Sequence, residues 1–530
     1  MIKQRTLTAC FFVAALLGVS ACATKHPPEW GIRWLPDCAS RPFTGLDPEV
    51  IARTQCGIVT VPMDHLNPSL GNLKLDITRV GALLPAEREG ALFTHPGGPG
   101  AESDRFTVLL ASLWKGYADQ PQGEAYRHLV NTYDVIAMTP RGMGSDPHSQ
   151  LVCRSDEEIV AQNDITEDRS PANIEAIRHN AGVLARGCAS QRLAPYINTE
   201  QTARDMELVR VLLDERQLNY FGNGYGTWLG AWYAGLFPKQ VGRMVLDSSP
   251  DWTATFQDAS LVQAPEKERV FARFVAQRAA NDPRRYQMGS TPKAIGAVFL
   301  DLLPHVRGAL RSDNEYYSAP EYLMAARALS QWLRESPDLP DAKLLANARA
   351  HRFSPDPGIN ALAKQAFIRL LDGTRRPSPW NGLALGPLTL TPRESVRSTV
   401  LCNDSVSAGE AFWTAKENQY AIQYPVGGSF FPSRHCADWR GQQLDGVPQR
   451  RLAQVDGLFM IQAEYDDQTP AAGALKAFAS VPAAHMTLLK GAYRHGVSFP
   501  GANACVNRNV GDFLAFGRKP DRFSICYESP

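Results

Sequence analysis

Three short segments of this sequence carry residue types that together could cleave an acyl bond. Residues 222–226 read Gly-Asn-Gly-Tyr-Gly and lie between an apolar strand pattern and a helix of small residues. Such a nucleophile elbow normally presents a serine at its centre, but here the central residue is Gly224. His495 is the candidate general base, and Asp466 would hold its tautomer and stabilise the imidazolium. The order nucleophile, acid, histidine along the chain is typical of one hydrolase architecture.

A lone histidine after a strand is more often structural than catalytic. The joint order and placement of Gly224, Asp466 and His495 favour a catalytic triad whose nucleophile position is vacant. Acyl chemistry also needs two backbone N–H groups directed at the developing negative charge. The N–H of Tyr225 and one from Gly97 or Gly98, in a glycine-rich turn after another strand pattern, are the candidates; the alternative is a plain tight turn.

Strand and helix patterns alternate along the chain and predict an α/β fold with a mostly parallel sheet. A hairpin comes first, and Thr199 is the predicted N-cap of a helix. Residues 251–445 lack this alternation and are predicted to be a mainly helical cap, inserted between the core segments 23–250 and 446–530. The predicted strands cover residues 57–62, 73–80, 91–94, 133–138, 218–221, 243–247, 457–462 and 486–489.

Several of these segments resemble one known family. Residues 95–100 (His-Pro-Gly-Gly-Pro-Gly) are similar to the His-Gly-Gly-Pro-Gly oxyanion loop of proline iminopeptidases and secreted tripeptidyl aminopeptidases. The resemblance implies an α/β-hydrolase fold with a helical cap and release of short N-terminal peptides or residues. It extends to residues 139–144, 219–230, 237–238, 241–247, 402–404 and 436–505.

The sequence departs from that family at four positions. Gly224 replaces the serine, Thr139 stands where the family usually has Asp, Asn223 where it has Gly, and Asp467 where it has Pro. Without a hydroxyl at Gly224 no acyl-enzyme can form there. An engineered inactive variant and a natural homologue without the serine both explain this, and the further departures favour the natural homologue.

Three functions are therefore compatible with the sequence. The first is a hydrolase in which His495 and Asp466 activate a water molecule beside Gly224. The second is a non-catalytic peptide-binding protein that keeps the cleft, and the third is an esterase or amidase acting on non-peptide substrates. An exopeptidase must bind a free α-ammonium group, for which Asp404 is a candidate partner, although an exposed, solvated acid is the simpler interpretation.

The N-terminus predicts export. Lys3 and Arg5 precede an apolar run at 10–17, and small residues precede Cys22, as in the lipobox of bacterial lipoproteins. We expect residues 1–22 to be a lipoprotein signal peptide and Cys22 to be acylated; an ordinary signal peptide is the alternative. The protein is then expected at the bacterial cell envelope, tethered to a membrane and facing the periplasm or the exterior.

The remaining cysteines agree with an oxidising location. Eight can pair in about 105 ways, and sequential pairing is the simplest because it closes four short loops. We expect no metal site and no cofactor, because no cysteine or histidine cluster has zinc spacing. The net charge of +1 over 530 residues gives no reason to expect nucleic acid, so the predicted partner is a peptide or small molecule; the oligomeric state stays open. The eight are Cys38, Cys56, Cys153, Cys188, Cys402, Cys436, Cys505 and Cys526.

Overall fold

The computed structural model describes residues 30–38, 41, 43–312, 318–375, 385–428, 431–501 and 503–528. The predicted signal peptide and Cys22 lie outside these residues. None of the helices in the described ranges combines the length and apolarity needed to cross a bilayer. The strands are β1 (Gly31–Trp34), β2 (Thr54–Pro62), β3 (Asn72–Val80), β4 (Gly90–His95), β5 (Tyr133–Met138), β6 (Arg154–Ile159), β7 (Leu218–Asn223), β8 (Val241–Asp247), β9 (Gly386–Thr389), β10 (Leu458–Tyr465), β11 (His485–Tyr493) and β12 (Phe523–Tyr527).

Helices fill most of the chain between these strands, and a π-helical turn (Phe271–Ala276) joins two of them. The α-helices are α1 (Pro48–Ala52), α2 (Ser103–Ala118), α3 (Glu124–Thr132), α4 (Pro171–Ala189), α5 (Thr199–Leu212), α6 (Tyr225–Leu236), α7 (Phe256–Leu261), α8 (Gln263–Val270), α9 (Gln277–Asn281), α10 (Pro283–Tyr286), α11 (Pro292–Leu300), α12 (Pro304–Ser312), α13 (Pro320–Glu335), α14 (Asp341–Ala350), α15 (Pro357–Arg375), α16 (Pro392–Asn403), α17 (Glu410–Gln423), α18 (Gln449–Leu452), α19 (Ala471–Ala479) and α20 (Ala504–Phe516).

A ten-stranded sheet in the order β1-β2-β3-β5-β4-β7-β8-β10-β11-β12 forms the centre of the molecule. The strands from β5 to β12 in this order are parallel to their neighbours, whereas β1, β2 and β3 are antiparallel, with β2 and β3 forming the predicted hairpin. Alternate residues of β10 enter two different apolar clusters, Leu458 and Met460 in one and Phe459 and Ile461 in the other. Both faces of the sheet are therefore buried, which confirms the predicted α/β class.

The helical insertion has an apolar core of its own. Side chains between Val270 and Leu371, including Phe299 and Phe367, form a third cluster, against which Tyr465 and Tyr493 at the ends of β10 and β11 pack. Leu388, Val396 and Cys402, in contrast, belong to the main core, and β9 pairs with β6. Residues from Leu388 to Cys402 thus pack in the core of the main body, and the domain boundary at 445 stays a prediction.

Four disulfides join the eight cysteines in sequential order, which confirms the simplest of the pairings that the sequence allows. Each closes a loop of 18 to 35 residues. On the chain-entropy model such loops contribute about 3–4 kcal/mol each to stability. The bonds are Cys38–Cys56, Cys153–Cys188, Cys402–Cys436 and Cys505–Cys526.

Candidate active site

Four neighbouring loops at the carboxyl edge of the sheet carry the residues singled out in the sequence. β4 ends at His95, β7 at Asn223, β10 at Tyr465 and β11 at Tyr493, and the glycine-rich loop, Gly224, Asp466 and His495 follow directly. The strands are adjacent or separated by β8 alone, so their loops converge. Ligand sites of open parallel sheets form at this edge.

Gly224 occupies a sharp turn between β7 and α6. Its φ is +54° and its ψ −119°, a conformation that side-chain-bearing residues rarely adopt. A Cβ built on Gly224 would lie 2.6 Å from Nε2 of His495 and 3.2 Å from its Cε1. The imidazole therefore faces the elbow directly and occupies part of the volume that a serine side chain would need.

His495 and Asp466 form a close pair. Nδ1 of His495 lies 2.9 Å from Oδ2 and 3.1 Å from Oδ1 of Asp466. Burial opposes the charged ring, but the Asp466 carboxylate and its hydrogen bond, with Asp247 and Asp467, raise the pKa of His495 above its usual range. Burial alone would raise the pKa of Asp466, yet the nearby imidazole lowers it. The pair thus stabilises an imidazolium, as a general base requires once it has taken a proton.

The loop after β10 holds the Asp466 carboxylate in place. Oδ1 accepts hydrogen bonds from the backbone N–H groups of Gln468 and Thr469, both at 3.0 Å, and Oδ2 accepts one from the Thr469 hydroxyl at 2.9 Å. Thr469 Oγ1 also lies 3.3 Å from Nδ1 of His495. Thr469 is not among the residues predicted for the site. The signal for it is its position three residues after Asp466, at which a hydroxyl can hydrogen-bond to the carboxylate that follows a strand.

The glycine-rich loop packs against the elbow. The N–H of Gly97 donates to Nδ1 of His95 at 3.1 Å, whereas those of Gly98 and Tyr225 have no acceptor among the described residues. Burial lowers the pKa of His95 to about 3, so that ring stays neutral. A Cβ on Gly97 would lie 2.8 Å from the carbonyl oxygen of Asn223. Gly98 and Tyr225 are therefore the better placed of the three predicted oxyanion donors.

A cavity of about 340 Å³ opens above these groups. Its floor includes Gly98, Gly224, Tyr225 and His495, whose side chain is 19% exposed and so is accessible to a ligand. The walls come from the glycine-rich loop, from α7 and α8 and from α16. Two arginines of α16, Arg393 and Arg397, also line the cavity, and neither is among the residues predicted for the site. The Thr-Pro-Arg-Glu capping box at 391–394 predicts their helix but not the direction that it faces.

Asp404 lies away from this cavity, inside the main core. It is 0% exposed, and its carboxylate accepts hydrogen bonds from the N–H and hydroxyl of Thr199 and from Nε1 of Trp228. The Thr199 hydroxyl also contacts the hydroxyl of Tyr225, so Asp404 supports the helix that begins at the elbow. It is therefore neither an exposed acid nor a cavity residue. Thr199 is the first residue of α5 rather than its cap, which is Asn198.

We expect Asp404 to make stability depend on pH. Burial raises its pKa to about 7, so between about pH 4 and 7 the folded protein holds a proton that the unfolded chain releases. This contribution to stability is greatest at low pH and falls as the pH rises towards 7. In urea denaturation, Asp404→Asn should gain more than about 1 kcal/mol relative to the unmodified protein between pH 4 and 7. A difference that stays constant with pH would contradict the buried, protonated Asp404.

A buried ion pair joins the helical insertion to the loop that carries Asp466. Nζ of Lys267, on α8, contacts Oδ2 of Asp467, and both side chains are at most 4% exposed. The Tyr493 hydroxyl donates to Oδ1 of Asp467 at 3.3 Å. Asp467 stands where the similar family usually has proline, and its ion pair with Lys267 fixes α8 beside the site.

Two family models match parts of this chain and agree with this architecture. Residues 91–286 match a family model described as alpha/beta hydrolase fold, and residues 424–526 match one described as TAP-like protein. The tripeptidyl aminopeptidase of Streptomyces lividans is 28% identical over 524 residues, which cover 96% of this chain and 88% of that protein. A carboxylesterase B of Mycobacterium tuberculosis is 33% identical over 234 residues, 43% of this chain and 42% of that protein. Among solved structures, a proline iminopeptidase of Mycobacterium smegmatis matches over 86% of this chain and 97% of its own, with 14% identity and a TM-score of 0.33.

Proposed function

We propose that this chain, which belongs to the α/β-hydrolase family, cleaves peptides by direct attack of water, in the manner of a serine peptidase that has lost its serine. The observation that carries the proposal is the position of His495. Its Nε2 faces the elbow and the cavity, while its Nδ1 is bound to Asp466. The relatives of this chain include a tripeptidyl aminopeptidase that aligns along nearly its whole length.

In the proposed reaction a water molecule in the cavity hydrogen-bonds to Nε2 of His495. The water oxygen attacks the scissile carbonyl carbon while Nε2 takes one of its protons, and the Nδ1–H donates to Asp466. The N–H groups of Gly98 and Tyr225 stabilise the oxyanion. The imidazolium then returns its proton to the leaving nitrogen as the carbon–nitrogen bond breaks. No covalent bond to the protein forms, because Gly224 has no side chain.

Hydrolysis is expected to be slow and to depend on His495. We expect His495→Ala to lower the rate by at least about 10²-fold, the usual contribution of a general base. Because the base must be neutral, the rate should rise with pH through a midpoint above the usual histidine value of about 6.5. A tripeptide p-nitroanilide, its N-acetylated form and a p-nitrophenyl ester, assayed in parallel, separate an aminopeptidase from an amidase or esterase.

The control for this experiment is His148→Ala, since His148 is exposed and is not among the residues that line the cavity. Its rate and pH profile should match those of the unmodified protein. Equal rates in His495→Ala and the unmodified protein would contradict water activation by this imidazole.

A second candidate function is supported by the missing hydroxyl at Gly224. A cavity that keeps its oxyanion donors without a nucleophile can bind a peptide and not cleave it. Peptide binding by calorimetry, with hydrolysis that is absent or insensitive to His495→Ala, would favour this function over the first.

We also propose export of the protein and attachment to a membrane through an acylated Cys22. The signal-like residues 1–22 and the eight cysteines that pair as four disulfides support this location. A lipid tether at the cell envelope would place the cavity where extracellular or periplasmic peptides are available.

A further inference from the structure

The charges around the cavity do not suit the ligand group that an aminopeptidase binds. A free N-terminus is an ammonium ion and needs carboxylates near the scissile bond. The residues described around the cavity include Arg393, Arg397 and His495 but no aspartate or glutamate. Asp466 is buried behind His495, and Asp404 is bound within the core by Thr199 and Trp228. An ammonium group would therefore enter a site whose described lining offers two arginines and a histidine but no carboxylate.

The two arginines are held beside the loop that carries the oxyanion donor Gly98. A Cβ on Gly100, two residues further on, would lie 2.6 Å from the carbonyl oxygen of Arg393 and 3.4 Å from the backbone nitrogen of Arg397. The first turn of α16 therefore packs directly on this loop. Because Arg393 and Arg397 are four residues apart, their side chains share one face of the helix.

Helix α16 is anchored at both ends, so it presents these arginines from a rigid support. Thr391 and Glu394 form a complete capping box at its start. At its end, Cys402 is bonded to Cys436, and the amide of Asn403 donates to the carbonyls of Ala194 and Ile197 at 2.7 and 3.0 Å. A positioned pair of cations costs less to organise on ligand binding than a mobile pair.

Two like charges on one helix face repel each other. Burial and the neighbouring Arg393 lower the pKa of Arg397 to about 10, which still leaves it protonated at neutral pH. Arg393 is exposed and makes no ion pair with any residue that the structure describes. An anion bound between the two guanidinium groups would relieve this repulsion, and guanidinium is well suited to a carboxylate.

We propose that Arg393 and Arg397 bind a carboxylate of the substrate next to the carbonyl that is hydrolysed. The hydrolysis in this inference rests on the proposed function, whereas the binding of the carboxylate does not. The substrate is then a peptide that carries an acidic side chain or a free C-terminal carboxylate at this site, rather than one selected by its α-ammonium group.

The test is calorimetry of the full-length chain with four alanine-based tripeptides. One is neutral at both ends, one has only a free C-terminal carboxylate, one has only a central glutamate, and one has only a free N-terminal amine. We expect a carboxylate peptide to bind at least about tenfold more tightly than the neutral one, from charge-assisted hydrogen bonds. Whichever of the two carboxylate peptides binds more tightly shows whether the site prefers a C-terminal carboxylate or an acidic side chain. Equal binding of the neutral peptide, tightest binding of the amine peptide, or no binding of any of them would overturn the proposal.

Variants test whether the arginines cause the preference for carboxylate peptides. Arg393→Gln should abolish it, and because Arg393 is exposed the fold should be unaffected. Arg440→Gln, an exposed arginine that is not among the cavity residues, should retain it. A preference that survives intact in Arg393→Gln would overturn the assignment.

The same measurement separates this inference from the proposed reaction. His495→Ala should keep the carboxylate preference while losing hydrolysis. If hydrolysis depends on His495 but no carboxylate preference exists, only the arginine site is wrong. If the preference depends on Arg393 but no hydrolysis occurs, only the proposed reaction is wrong.

Discussion

Substitution of serine for Gly224 is expected to raise the rate of peptide or ester hydrolysis by about 10³-fold or more, since loss of the nucleophile in serine hydrolases costs at least this much. The variant should also react covalently with a fluorophosphonate probe, which the unmodified protein should not do. His495, Asp466, Gly98 and Tyr225 already surround position 224, so the hydroxyl is the missing component. Labelling followed by peptide mapping, with hydrolysis measured in parallel, provides the readout.

The new side chain must overcome two obstacles. A φ of +54° is strained for any residue with a Cβ and costs about 1–3 kcal/mol of stability. The Cβ would also lie 2.6 Å from Nε2 of His495, so the imidazole must withdraw. It can do so only within the limits set by its hydrogen bond to Asp466. We therefore expect the serine variant to be less stable than the unmodified protein while being more active.

Gly224→Ala is the matched control, because alanine introduces the same strain and the same Cβ without the hydroxyl. It should lose stability to a similar extent and should show neither labelling nor faster hydrolysis. A well-folded Gly224→Ser variant that is not labelled, or labelling that persists when His495→Ala is added, would contradict the geometry proposed for the site.

Much of the site can be predicted from sequence because it lies at strand ends. The apolar runs predict β7, β10 and β11, although these strands end at 223, 465 and 493, two to four residues beyond the predicted ends, and parallel strands bring their carboxyl ends to one edge of a sheet. The hairpin of β2 and β3 and the elbow between β7 and α6 follow from local patterns in the same way. These features depend on residues that are close together in the sequence, so local sequence patterns predict them.

The surroundings of the site depend on packing between distant segments and were not predictable. Asp404 looks like an accessible acid in the sequence, but in the fold it is buried and hydrogen-bonded to Thr199 and Trp228, which are 205 and 176 residues away along the chain. The capping box at 391–394 predicts the helix that carries Arg393 and Arg397, but the two arginines line the cavity because α16 packs on the glycine-rich loop, which no local pattern indicates. The spacing of residues along the chain likewise does not indicate that the His495 ring lies so close to Gly224.

Breaking the buried pair of Arg141 and Asp205 is expected to have the largest effect on stability. Arg141 is 1% exposed and Asp205 is 0% exposed, and they share two hydrogen bonds of 2.7 and 2.8 Å. The other guanidinium N–H groups donate to the carbonyls of Pro62, Met63 and Tyr196. This one side chain therefore connects the end of β2, the segment before α5, α5 itself and the loop after β5.

We expect Asp205→Asn to lower the free energy of unfolding by about 3–5 kcal/mol, because it leaves the Arg141 cation buried without a counter-charge. Urea denaturation of the oxidised protein measures the loss. Glu200→Gln, on the same helix, removes a partly exposed pair with Arg204 and should change stability by less than about 0.5 kcal/mol.

The combined variant Arg141→Met with Asp205→Leu tests the physical reason for this loss. If the cost comes from an uncompensated charge, removing both charges should destabilise the protein less than Asp205→Asn does, even though more hydrogen bonds are lost. If the double variant is less stable than Asp205→Asn, the stabilisation comes instead from the hydrogen bonds that Arg141 donates to the backbone carbonyl groups. In either case the effect acts on the contacts of α5 with the end of β2 and the loop after β5, and not on the groups that line the cavity.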